Sequence, residues 1–165
     1  MNYPNAQSLG QSYGTTHWLI NKLVDGLSND DTLVQPQFEA NCLNWILGHI
    51  LAGRNEALSY LGAEPFWAEP ELARYKTGSP PITKAEQALP LERLLNDFEE
   101  SQKRILAALE SIAAEELDTV VDTRFGERPV GQHIAGLHWH ETYHTGQLEL
   151  LRALAKSTRV ESVSK

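Results

Sequence analysis

His140 and His144 stand four residues apart in the segment His138-Trp139-His140-Glu141-Thr142-Tyr143-His144-Thr145-Gly146-Gln147. On a helix that spacing stacks two side chains one turn apart, with ~5–6 Å between Cβ atoms. Two imidazoles so placed can reach one metal ion, each at ~2.0–2.1 Å if the ion is zinc. Both fall on the apolar stripe of their segment, where two neutral imidazoles facing a core cost desolvation that a shared cation offsets. A third ligand has to come from elsewhere, and His49 is the candidate, mid-segment on the stripe Phe38, Cys42, Trp45, His49, Ala52/Gly53 and Ala57. The competing reading of the same residues is a hydrogen-bonded polar layer in a core. A metal with three protein ligands keeps open positions and lowers the pKa of a bound thiol or water. A thiolate so formed attacks an electrophile and a hydroxide hydrolyses one; the spacing does not choose between them, and no residue is assigned to catalysis.

Neighbouring residues follow from the same register. Gln147, three after His144, lies on the ligand face, where it can hydrogen-bond a ligand imidazole or make a plain interhelical bond. Trp45, one turn before His49, walls the site or simply packs. His133, two turns before His140, lines the cavity without sharing the ion. Tyr13 and His17, on the stripe of the first helix, either lend polar groups to the pocket or are buried with a hydrogen bond. His138 points away and reads as surface or interface, and Arg54 and Arg152 read as solvated in preference to holding a substrate anion. Cys42 lies about 10.5 Å along the axis from His49, too far to complete the same sphere, and reads as a small core residue. His140-Glu141-x-x-His144 also matches the zinc-peptidase motif in which the Glu is general base. Only 21 residues follow His144, none of them His; Glu149 is too close and Glu161 lies in a polar tail. In a bundle, Glu141 sits ~100° round from His140, toward solvent or a neighbouring helix.

The elements that must position these groups are four helical segments, about 8–27, 38–61, 90–112 and 129–155, each with apolar residues at three- and four-residue steps. Residues 62–89 carry Pro65, Pro70, Gly78, Pro80 and Pro81 and form a long connection with one short helical piece near 70–75. Residues 113–128, with Val120, Val121, Phe125 and Gly126, read as extended or turn-like. The expected fold is an all-α four-helix bundle with one long crossover connection, wired up-down-down-up or simply up-and-down. It forms a single domain over 1–156, with a polar tail over 157–165 expected to fray.

Composition narrows the partners. The 165 residues suit one domain with a proper core. Acidic residues outnumber basic ones 22 to 14, for a net charge of −8, which argues against nucleic acid and against an anionic membrane surface. One cysteine against six histidines excludes an internal disulfide and any cysteine-rich metal module, so a metal here needs imidazole or carboxylate. The opening MNYPNAQSLG lacks the basic-then-apolar order of a signal peptide, and no apolar run is long enough to span a membrane, so a cytoplasmic protein is expected.

Taken in order, Trp45-Ile46-Leu47-Gly48-His49 on the second helix and His140-x3-His144-x-Gly146-Gln147 on the fourth resemble the DinB-like (DinB/YfiT-like) superfamily of four-helix-bundle metalloproteins. The resemblance spans the helix layout and the long connection after helix two. It implies His49, His140 and His144 as ligands of one divalent metal ion, zinc or nickel, with open coordination positions. Members with known activity are thiol-dependent transferases and isomerases using bacillithiol, mycothiol or glutathione, and dimers are common. The family name reflects induction by DNA damage, not a DNA-binding surface. The expectation is a metal-dependent enzyme on a small-molecule substrate, of thiol S-transferase type with a low-molecular-weight thiol cosubstrate, with a homodimer implied. The rivals are a metal-dependent hydrolase with the same ligands and a non-catalytic metal- or ligand-binding module.

Overall fold

The computed structural model describes residues 3–163. Four long helices dominate: α1 (Ala6–Val24), α3 (Leu43–Tyr60), α5 (Leu91–Ser111) and α7 (Val130–Val163). Short helices α2 (Asn29–Thr32), α4 (Glu69–Tyr75) and α6 (Ala114–Leu117), a 3-10 turn at Ala85–Gln87 and a two-stranded antiparallel ribbon fill the connections. The ribbon pairs β1 (Val120–Val121) with β2 (Arg128–Pro129), Val120 opposite Pro129. No helix among the described residues is long and apolar enough to cross a membrane.

The helix ends carry their signals. Asn5 caps α1 by accepting from the Ser8 N–H. After α3, Gly62 takes φ +70°, the Gly62 N–H bonds to the Ser59 carbonyl and the Ala63 N–H to that of Leu58, a Schellman stop. Pro90 opens α5, where its missing N–H costs nothing.

Long-range contacts fix the wiring. Tyr13, Thr16 and Leu23 of α1 meet His138, Glu141 and Arg152 of α7 in rising order, so these helices run parallel. His49, Arg54 and Tyr60 of α3 meet His144, Glu141 and His133 in falling order, so α3 is antiparallel to α7. Between α1 and α5, Gly10 lies by Leu106 and Asn21 by Glu99, again antiparallel. The bundle is therefore wired up-down-down-up. The two parallel helices α3 and α5 are joined by the crossover 61–90, which must climb the full height of the bundle. Two apolar clusters fill the core, one around Ile20, Leu47, Phe98 and Leu148, the other around Leu9, Leu58, Ile105 and Ile134.

Two helix boundaries differ from the periodicity. The second long helix begins at Leu43, not 38: Cys42 stands at its N-cap in extended conformation, its thiol donating to the Ile82 carbonyl. Phe38 and Cys42 keep helical spacing by coincidence; Phe38 lies outside the helix and is exposed. The last helix runs to Val163, well past 155; residues 164–165 lie outside the described residues. The extension carries no apolar stripe and no Gly or Pro. Arg159 ties it down through an ion pair to the buried Asp31 of α2.

Candidate metal centre

α3 and α7 bring His49, His140 and His144 together, with ligand-capable ring nitrogens all within 4.8 Å of one another. The Nε2 atoms of His140 and His144 are 3.0 Å apart. Each pair of rings is close to perpendicular, at 76° to 87°.

Outer contacts set which nitrogen is free. The His49 Nδ1–H donates to the Tyr75 carbonyl at 2.7 Å, leaving its Nε2 with a lone pair. That carbonyl belongs to the crossover, and its position depends on Gly48. The Tyr75 ring lies so close over Gly48 that a Cβ there would meet it at 2.2 Å. The Tyr75 hydroxyl donates to Asn44 Oδ1 and accepts from the Leu89 N–H, which anchors the crossover at both ends. Trp45 stacks on His49 at 4.7 Å between centroids and donates from Nε1 to Ser79 Oγ. On α7, the His144 Nδ1–H donates to Gln147 Oε1 at 2.6 Å, so its Nε2 is an acceptor as well.

All three histidines are held below their ordinary pKa, first by burial. His140 drops to about 4, with the His144 and His49 rings adding to the effect. At neutral pH the cluster is three uncharged imidazoles; the His49 and His144 Nε2 atoms carry lone pairs, and the His140 Nε2–H donates to His144 Nε2. Once His140 shifts its proton to Nδ1, the three form a donor set suited to zinc, nickel, copper or iron. These residues fit a divalent metal. Two nitrogens at ~2.0–2.1 Å from one ion stand at most about 4.2 Å apart, which the 3.0 Å pair on α7 satisfies.

Glu141 faces away from the centre. Arg54 grips it with two bonds, Nε to Oε2 and a terminal nitrogen to Oε1, both 2.8 Å, and Thr16 donates to Oε1. Arg54 is 1% exposed and Glu141 3% exposed. Arg54, expected on the surface, is instead the core of a polar layer between the two apolar clusters, stacked over Phe98 and bonded to Ser101. With both oxygens engaged, Glu141 is not available as the general base of a zinc peptidase.

Other residues take different places. His133 is buried, donates to Glu56 at 3.1 Å and packs edge-on to Tyr60, two turns from the triad. Tyr13 and His17 belong to the α1 side of the polar layer, where His17 stacks on Phe98 and meets Glu99. His138, expected on the surface, is half-buried with its ring edge-on to Tyr13. Arg152, expected to be solvated, donates to the Leu23 and Asp25 carbonyls at the end of α1. Cys42 is fully buried.

Two cavities border the triad and share His49, Thr77 and His140; only the second reaches His144. One, of about 310 Å³, carries the charged residues Glu56, Glu69, Lys76 and Arg124 in its lining. The other, of about 470 Å³, is lined by Phe38, Trp45, Tyr143 and Leu150, and reaches His144 and Gln147. Tyr75, Thr77, Tyr143 and Arg124 have no signal in the spacing, and for Phe38 the spacing gives only a place on the apolar stripe of His49. Phe38, Arg124 and Thr77 sit in connections, and Tyr75 acts through a backbone carbonyl that any residue possesses.

No curated protein matches the chain. Its fold is similar to that in the crystal structure of the conserved protein of locus from Enterococcus faecalis, with a TM-score of 0.71 at 16% sequence identity, covering 92% of this chain and 96% of that one. The family model of the DinB superfamily matches residues 15–148, a span that takes in all three clustered histidines and Gln147. The chain belongs to the DinB superfamily.

Proposed function

We propose that the protein binds one divalent metal ion through His49, His140 and His144 and uses it as an enzyme on a small molecule, of thiol S-transferase type. The observation that carries this reading is the convergence of three neutral imidazoles within 4.8 Å, two of them with Nδ1 already engaged. Zinc and nickel are the ions in view, and a low-molecular-weight thiol is the cosubstrate. Bound there, the ion would supply Lewis acidity, lowering the pKa of a thiol or a water at an open position.

The chain's own residues prepare that chemistry. Tyr75 and Gln147 hold the ring tautomers, so no proton has to leave Nε2 of His49 or His144 when the ion enters. Trp45 covers one face of His49 and keeps water from it. Two cavities meeting at the triad favour a reaction between two molecules over hydrolysis of one, because each reactant has its own approach.

Elemental analysis of the purified protein tests the site. Stoichiometric metal is expected in the wild type, and its loss in His49→Ala and in His140→Ala. Metal retained in both variants would remove the triad. Conjugation assays pairing several low-molecular-weight thiols with an electrophile then test the reaction. Metal-dependent turnover without any thiol would instead establish the hydrolase.

A further inference from the structure

Eight large apolar side chains are well exposed among the described residues, and three of them, Phe38 (74%), Tyr143 (56%) and Leu150 (73%), converge on the larger cavity beside the triad. They come from different places: Phe38 from the connection before α3, Tyr143 and Leu150 from the outer face of α7. Exposure of single apolar residues is ordinary, but their convergence on one concavity is a mark of a ligand site. Trp45, Ile46 and Leu151 continue the apolar lining inward. His49, His140 and His144 complete the lining.

From this lining we infer that the groove is the binding site for a neutral, aromatic or similarly apolar small molecule, the second reactant at the metal centre. Its volume of about 470 Å³ suits a small molecule, since such pockets run ~300–1,000 Å³. Charge narrows the occupant further. Away from the triad the groove has no Lys or Arg in its lining and a single carboxylate, Glu39, so the body of the occupant meets no cationic side chain there. The other cavity bordering His49 and His140 holds Lys76, Arg124, Glu56 and Glu69 and suits the charged reactant. Tyr143 stands edge-on to His144 at 5.2 Å between centroids, which puts an aromatic wall directly beside a ligand ring. A planar apolar group can lie against Phe38 and Tyr143 while its reactive end points at the triad.

This inference rests on the proposed metal reading for what the three histidines of the groove hold, but its test separates the two. The probe is N-phenyl-1-naphthylamine, a neutral aromatic amine whose fluorescence rises in apolar surroundings, titrated into the full chain supplied with zinc. Saturable binding at one site is expected. Phe38→Ala and Tyr143→Ala should each weaken it about five- to tenfold, and the double variant should abolish saturation. Trp18→Ala, which removes an exposed aromatic outside the groove, should leave binding unchanged, as should the double substitution Lys76→Ala, Arg124→Ala. Metal content is measured on the same samples. Stoichiometric metal without a saturable probe site overturns the groove and leaves the metal reading intact. A probe site sensitive to Phe38 and Tyr143 in a protein that takes up no metal overturns the metal reading alone. Equal weakening by Trp18→Ala would show adhesion to exposed aromatics and overturn the groove. So would a change of oligomeric state in the Phe38 and Tyr143 variants, by light scattering, without a saturable site, because the patch would then be a contact between copies.

Discussion

At the scale of single residues, the site depends on groups that touch the imidazoles from behind. Gln147 accepts the His144 Nδ1 proton at 2.6 Å. Removing that acceptor frees the ring to turn and to change tautomer. Gln147→Ala is therefore expected to lower metal affinity about 10- to 100-fold, while Gln147→Glu, which keeps an oxygen acceptor, should recover most of it. Competition with a chromophoric chelator measures both, and an unchanged affinity in the Ala variant would show that Gln147 only packs. Gly48→Ala attacks the same arrangement from the other ligand. Its Cβ would overlap the Tyr75 ring, so the crossover must shift and carry the Tyr75 carbonyl away from His49. Overpacking of this kind costs about 1–3 kcal/mol, expected as a lower unfolding midpoint together with weaker metal retention. The three histidines were legible in the sequence because their spacing and their place on apolar stripes are properties of residue type. The Tyr75 contact was not legible, since a backbone carbonyl leaves no trace in composition and the crossover's path is set by tertiary packing.

Among the elements, the deciding contact is the buried pair Arg54–Glu141. It joins all four long helices: Thr16 from α1, Arg54 from α3, Phe98 and Ser101 from α5, Glu141 from α7. A parallel or antiparallel choice between apolar faces is nearly degenerate, whereas a bidentate ion pair is satisfied in one register only. Arg54→Ala leaves a carboxylate buried without a partner and is expected to cost about 3–5 kcal/mol in urea unfolding at pH 7. Replacing both members, Arg54→Met with Glu141→Leu, should cost far less, because no charge is then stranded. A loss below about 1 kcal/mol in the single variant would show that the pair does not lock the bundle. Sequence reading placed Arg54 outward and left Glu141 between solvent and a neighbouring helix, because charged side chains default to water and the two partners lie 87 positions apart in the chain. The same default hid the last turns of α7. A helix held by Arg159 on Asp31 and without an apolar stripe has no periodicity to detect.

For the whole molecule, the bundle's wiring explains why so many imidazoles are out of water. Two helices running down and two running up, with the crossover pressed over the outside, enclose five histidines at different depths. His17, His49, His133, His140 and His144 are all held below the ordinary value, burial being the first cause in each. An unfolded histidine titrates near ~6.5. A group whose folded pKa is lowered takes up its proton preferentially in the unfolded chain, so stability is complete above about 6.5 and falls as pH drops toward the folded pKa. For His140 that window runs down to about 4. The metal-free protein is thus expected to show a flat unfolding midpoint from pH 8 to about 7 and a steady fall from there toward pH 4. Ordinary carboxylates, titrating near ~4, account for little of the upper part of that fall. A metal that binds the folded chain and not the unfolded one stabilises it, so under the proposed reading added zinc or nickel should raise the midpoint at pH 7.5. Protons compete for the same three Nε2 lone pairs, and the increment should vanish by about pH 4–5. His140→Ala should abolish the metal increment and make the acid fall shallower. Thermal scans across this range, with and without metal, decide the matter: a midpoint indifferent to acid between pH 6.5 and 5 would mean that the buried imidazoles are not held neutral by the fold.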